Sequence, residues 1–298
     1  MNAMRKVISA GCALLLLAGC KDASVTLPGS SEVIATVGNQ SVTKGDLYDV
    51  LFASIGSDTA ASDALNAISA QEIEVTDEMK ESAQGTLDMY NLLYGDSFSE
   101  YLSASGMSDE DYINDYLIPS LQSEELVTKY MEEHFTAIAE EYNPIQAIVL
   151  TFTSQEDASA ALSALKDGSL TPAQAASENN SSSSGSEEII TINTTSYDSA
   201  ALSVIRSASS DDGWTEVTST DGATWYLVNV VSNDPNEFKD DAIAALSNIT
   251  KITNASTDYY FRKYGFHVYD INLYNALKDS NPEMLVQDSA AEEVFAAD

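Results

Sequence analysis

The feature that most restricts what this chain can fold into is a change of hydrophobic period after Asn143-Pro144 that reverses at about residue 233. Gln146–Phe152 (QAIVLTF) is an almost unbroken apolar run with the length of a buried strand. Ser154–Leu165 then carries Ala158, Ala161, Leu162 and Leu165 on one helical face, and Asp167-Gly168 stops it. Pro172–Ser177 predicts a second short helix, Asn179–Ser186 a low-complexity loop, and Glu188–Ile192 a strand. Ala200–Ser207 reads as a helix, and Trp214–Thr218 and Thr224–Val231 as two strands joined by the Thr220-Asp221-Gly222 turn. The order β-α-α-β-α-β-β defines a compact α+β domain over residues 144–232. It interrupts a chain that is otherwise helical.

The flanking parts read as one mostly helical module. In residues 32–143, Val33–Val37 and Gln40–Val42 are strands about a Gly38-Asn39 turn, a small β pairing. Thr43 with Asp46 forms a weakened capping box, and Leu47, Val50, Leu51 and Ile55 follow at helical spacing. Further helices are expected at 59–70, 76–94 and 108–142, with Thr76 and Ser108 as N-caps and acidic first turns. Pro119 should kink or split the last of them. Its tyrosines, Tyr112, Tyr116 and Tyr130, read as core and rim residues before a ligand box. Residues 233–278 give a long helix, Phe238–Tyr264, ended by Gly265, then a strand-like run at Phe266–Asp270 and a short helix. Residues 279–298 are acidic and without period, which predicts a frayed tail.

Composition removes several function classes. With 47 acidic residues against 13 basic, the net charge is −34, and phosphate backbones would repel such a chain, so nucleic acid is excluded as a partner. Two cysteines and two histidines rule out a disulfide framework and leave too few ligands for an ordinary zinc site. Asp211-Asp212-Gly213 lacks the spaced ligands of a calcium loop and reads as a solvated turn. His134 and His267 have no triad context, and there is neither a Gly-x-Ser-x-Gly elbow nor a phosphate loop. No metal and no cofactor is expected.

Residues 1–19 have the form of a targeting signal: Arg5 and Lys6, then the apolar run Val7–Gly19, too short to span a bilayer. The run ends in Leu17-Ala18-Gly19-Cys20, which resembles the lipobox of bacterial lipoproteins. That resemblance implies cleavage before Cys20 and acylation of its sulfur, an anchor of two or more acyl chains on the extracytoplasmic face of the cell membrane. Cleavage removes Arg5, Lys6 and Cys12 and leaves a net charge of −36. Residues 20–31 (Cys20, then KDASVTLPGSS) read as a flexible lipidated tether that lifts the body off the bilayer.

The segment VIATVGNQSVTKGDLYDVL (33–51) resembles the opening of the SurA/PrsA chaperone family, and Glu237–Lys239 with FHVYDINL (266–273) resembles its closing helix and strand. Residues 145–231 stand where that family carries a parvulin-type peptidyl-prolyl isomerase domain. With the lipobox, the whole chain is similar to PrsA-type foldase lipoproteins. The resemblance implies an isomerase site with a histidine on the first strand, another on the last, a Cys or Asp, and a Met/Phe floor for proline. Here the two histidine positions fall on Ala147 and Tyr226, and no Phe, Met, His or Cys stands between Phe152 and Phe238. The Gly-rich loop is replaced by Ser181–Ser184 and Gly185. Lowering a barrier of ~18–20 kcal/mol needs a site that holds a twisted, desolvated imide. These residues do not supply one. The expected function is a membrane-anchored chaperone that binds unfolded exported proteins, with no catalytic residues. An active parvulin with an atypical site, or a solute-binding or structural lipoprotein, are the alternatives, and a homodimer is left open.

Overall fold

The computed structural model describes residues 23–290 and 293–298. The signal at 1–19 and the anchor Cys20 lie outside the described residues. The chain is α+β and mostly helical, with two small antiparallel sheets, as the pattern predicts. Two compact units divide it, residues 23–65 with 260–290 and residues 66–259 with 293–298.

Strands β1 (Val33–Val37) and β2 (Gln40–Thr43) pair about the Gly38-Asn39 turn, with Val37 opposite Gln40. Thr43 and Asp46 form the expected box: the Asp46 carboxylate accepts from the Thr43 N–H at 2.8 Å. Behind it runs α1 (Lys44–Glu72), interrupted at Gly56, whose φ of 71° and ψ of 178° no helix uses. Helix α2 (Asp77–Tyr94) starts on Thr76, whose Oγ1 accepts from the Met79 N–H at 3.1 Å. Helix α3 (Asp96–Ala104) follows across Gly95 at φ 51°, in a stretch where the sequence analysis places no element.

The expected helix 108–142 is four pieces. Helix α4 (Asp109–Tyr112) opens on a Ser108/Asp111 capping box and passes into a π turn over Ile113–Leu117. Helix α5 (Ile118–Glu133) then starts with Pro119 in its first turn, where a missing N–H costs nothing. Helix α6 (Phe135–Tyr142) resumes past His134. Pro119 is thus accommodated by re-starting the helix.

Strand β3 (Ile145–Phe152) leads to α7 (Gln155–Asp167), α8 (Pro172–Glu178), β4 (Glu187–Ile190), α9 (Ser199–Ser207), β5 (Thr215–Thr218) and β6 (Trp225–Ser232). The β-α-α-β-α-β-β order is as predicted. The sheet runs β4-β3-β6-β5, all antiparallel. Alternation along β3 separates two cores. Ile148, Leu150 and Phe152 pack with Ala158, Ala161, Leu165 and Ala175 of α7 and α8. Ile145, Ala147 and Val149 pack with Ala201, Leu202 and Ile205 of α9.

The long helix expected at 238–264 is two, α10 (Lys239–Leu246) and α11 (Thr250–Lys263), followed by α12 (Ile271–Ser280). Three expectations are corrected at the chain ends. The strand-like run expected at Phe266–Asp270 is not a strand of either sheet. The extended run makes an isolated parallel bridge with Val25: the Val25 N–H donates to Tyr269 O, and Ile271 N–H donates to Val25 O, each at 2.9 Å. The described part of the tether is therefore docked. Ala23 is buried among Val268, Tyr274, Leu277 and Leu285, and further on Gly45 N–H donates to Ser30 O at 2.8 Å. Nor is the acidic tail frayed. Leu285 and Val286 are buried in the first unit, and Phe295 is buried in the second.

Candidate functional site

Two places in the second unit carry the chemistry in question. The first is an aromatic cluster. Helix α2 sets Leu87, Tyr90 and Tyr94 on one face, the Gly95 turn brings Phe98 and Tyr101 of α3 against them, and α4 with the π turn adds Tyr112 and Tyr116. Phe98 meets Tyr112 edge-on at 5.3 Å between centroids and Tyr90 at 5.7 Å, and Tyr112 stacks on Tyr116 at 5.3 Å. Such offset and edge contacts are the favoured aromatic geometry. Phe98 is buried at the centre, whereas Tyr94, Tyr101 and Tyr116 are 51–61% exposed at the rim. Burial, with the neighbouring phenols, raises the Tyr112 hydroxyl above its ordinary range.

Beside the rim, the last turns of α2 leave Leu92 and Leu93 85% and 64% exposed, and Met89 is exposed one turn earlier. Exposed leucines and phenols in such proximity are uncommon on a folded surface. The tyrosines at 112 and 116 fit the core-and-rim reading. The partners that make them a surface, Phe98 and Tyr101, were missed because a nine-residue helix after a glycine gives a weak period. The spacing Tyr90, Tyr94, Phe98, Tyr101 was the available signal.

The second place is where the resemblance expects an isomerase site. Ala147 is fully buried, paired with Val230 on one side and Glu188 on the other. Tyr226, opposite Thr151, is 8% exposed. Helix α9 packs on this face of the sheet, so Leu202 and Ile205 occupy the space beside Ala147. What the structure adds is a polar group invisible to local pattern: the Tyr197 hydroxyl donates to the Glu188 carboxylate, and Tyr197 meets Tyr226 edge-on at 6.1 Å. Burial raises the Glu188 carboxyl, an effect the Tyr197 bond partly opposes, and burial with Glu188 nearby raises the Tyr197 phenol strongly. The serine run is ordered. Thr151 N–H donates to the hydroxyl oxygens of Ser181 and Ser183, and Ser182 N–H donates to Thr151 O at 2.9 Å.

The remaining candidates have structural partners. His134 is buried, its Nδ1 lies 2.7 Å from Tyr130 O, and its ring stacks on Tyr130 at 4.1 Å. Tyr130 itself is pushed up to about 12, by burial first and then by Glu293 and Asp258. Asp212 accepts from Ser209 N–H at 2.7 Å and caps a turn. Among the described residues no group of three or more His, Cys, Asp or Glu is placed to hold a metal, and no helix is long and apolar enough to cross a membrane.

Solved structures do resemble this chain. The foldase protein PrsA from Streptococcus pneumoniae is 17% identical, covering 83% of this chain and 98% of its own, with a TM-score of 0.43. A peptidylprolyl isomerase (PrsA) from Bacillus cereus is 16% identical, over 84% and 98%, with a TM-score of 0.41. PrsA from Bacillus subtilis is 15% identical, over 85% and 99%, with a TM-score of 0.36. The structural neighbours are PrsA foldases. Neither a protein-family model nor a curated protein matches the sequence significantly.

Proposed function

We propose that this protein is a chaperone, held by lipid at Cys20 on the extracytoplasmic face of the cell membrane, that captures unfolded exported chains and does not isomerise proline. The observation that carries the proposal is the exposed phenol and leucine surface at the end of α2 and along α3, α4 and the π turn. Extended chains present apolar side chains at irregular intervals. A half-buried cluster with several separate apolar contacts can meet them weakly in many registers, and at ~25 cal/mol per Å2 a few hundred Å2 offsets only part of the association cost. Capture is then transient, as a chaperone requires. The absence of catalysis is supported by Ala147 and Tyr226, both buried under α9 with no imidazole or thiol in the domain.

Two assays on the mature chain test this. Aggregation of a denatured client should fall as the protein is added, and a Leu92→Ser/Leu93→Ser variant should lose most of that effect; full suppression by the variant would reject the surface. Protease-coupled isomerisation of proline peptides should run at the uncatalysed rate. The Glu188–Tyr197–Tyr226 group favours a second reading, an isomerase with an unusual site. Catalysis that disappears on Tyr226→Phe would establish it.

A further inference from the structure

We infer that the first unit lies on the bilayer surface, its exposed apolar face seated in the headgroup layer of the membrane that holds Cys20; this rests on the lipid anchor proposed above. The spacer is short enough to hold the unit close to the bilayer. Ala23 is buried in the core of that unit, and Val25 is bridged to Asp270, so only Lys21 and Asp22 separate the anchored residue from the folded body. At 3.3–3.6 Å per residue the step from Cys20 to Ala23 spans at most about 11 Å. The headgroup layer alone occupies roughly 6 Å on each side of the hydrocarbon core. Residues that were expected to lift the body away instead tie it down.

The unit carries exposed apolar side chains suited to that position. On α1, Leu47, Val50 and Leu51 form one stripe and are 47–63% exposed, and on β1 Val33, Ile34 and Val37 are 51–77% exposed. Near the point of entry, Val25 and Tyr269 are also exposed, and a phenol beside an apolar residue is a common arrangement at the membrane interface. Charge points the same way. Residues 23–65 and 260–290 hold nine acidic residues and four basic ones, whereas residues 66–259 and 293–298 hold 36 acidic and only six basic. An anionic leaflet repels acidic surface within a Debye length. The unit joined to the anchor is the one the membrane repels least.

The test uses the acylated full-length protein in phosphatidylglycerol/phosphatidylethanolamine vesicles, with a Val50→Cys substitution labelled by an environment-sensitive fluorophore and Ser159→Cys as the comparison site. Brominated lipids should quench the Val50 probe several-fold more than the Ser159 probe. Equal, water-like emission from both overturns the inference. A shielded Val50 probe that brominated lipid does not quench also overturns it, and shows the face covered by a second copy or by protein. Separately, Cys20→Ala should leave the membrane fraction. If it stays there, the anchor reading fails, while the quenching comparison still reports whether the face meets lipid.

Discussion

Gly185 shows how a single residue can hold the serine run in place. Its φ is +79°, and a Cβ there would lie 2.6 Å from the carbonyl carbon and oxygen of Pro172 at the start of α8. Both the left-handed backbone and the backbone contact oppose any side chain. Gly185→Ala should cost about 1–3 kcal/mol and lower the melting temperature by several degrees. A melting temperature unchanged from the parent would show that the turn relaxes freely. Glu188 makes a prediction with a sign. Its carboxyl is raised by burial, so the unfolded chain ionises first as pH rises, and stability falls between the ordinary carboxylate range and the raised value. Glu188→Gln still accepts from Tyr197 and removes that loss. The variant should be more stable than the parent at pH 7, and the difference should close below about pH 4. A difference that persists in acid would assign the effect to packing. Neither residue was legible in advance. Gly185 sits in a low-complexity run, and Glu188 gains meaning only from Tyr197, brought beside it by a loop.

At the scale of elements, caps and stops were legible because they are local. Thr76, Ser108 and Gly168 bound helices as their chemistry predicts, and the four strands β3 to β6 stand within two residues of their expected limits. Breaks were less visible. The turn at Ser247–Ile249 that divides α10 from α11 contains neither glycine nor proline, and α3 has only nine residues. The Ser108/Asp111 box is the cap with most at stake, because the helix it opens carries Tyr112 into the aromatic cluster. Ser108→Ala removes the hydroxyl to which the Asp111 N–H donates and should cost about 1 kcal/mol. Local opening there should appear as faster amide exchange at residues 111–116. Exchange unchanged in that stretch would mean that the ring contacts alone hold the turn.

Across the whole molecule the decisive quantity is where the charge lies. Composition alone yields −34, but the fold gathers 36 acidic residues and six basic ones into one unit, the unit that also carries the phenol and leucine surface. That segregation shapes what the surface will hold. Asp88, Asp96, Glu100 and the acidic first turn of α4 stand on the same elements as that surface, so a captured chain brings its own charge toward theirs. A basic unfolded chain is drawn in and an acidic one is turned away, over a range of about 30 Å at 0.01 M salt and about 8 Å at 0.15 M. Suppression of aggregation should therefore need a lower molar ratio for a basic client than for an acidic client of equal length and hydrophobicity. The advantage should shrink as salt is raised, while the apolar component, which salt does not screen, remains for both clients. Light scattering across a salt series separates the two contributions. Equal potency toward both clients at 0.01 M salt would show that the acidic surface plays no part in choosing among them, and would leave the leucines and phenols as the whole of the recognition.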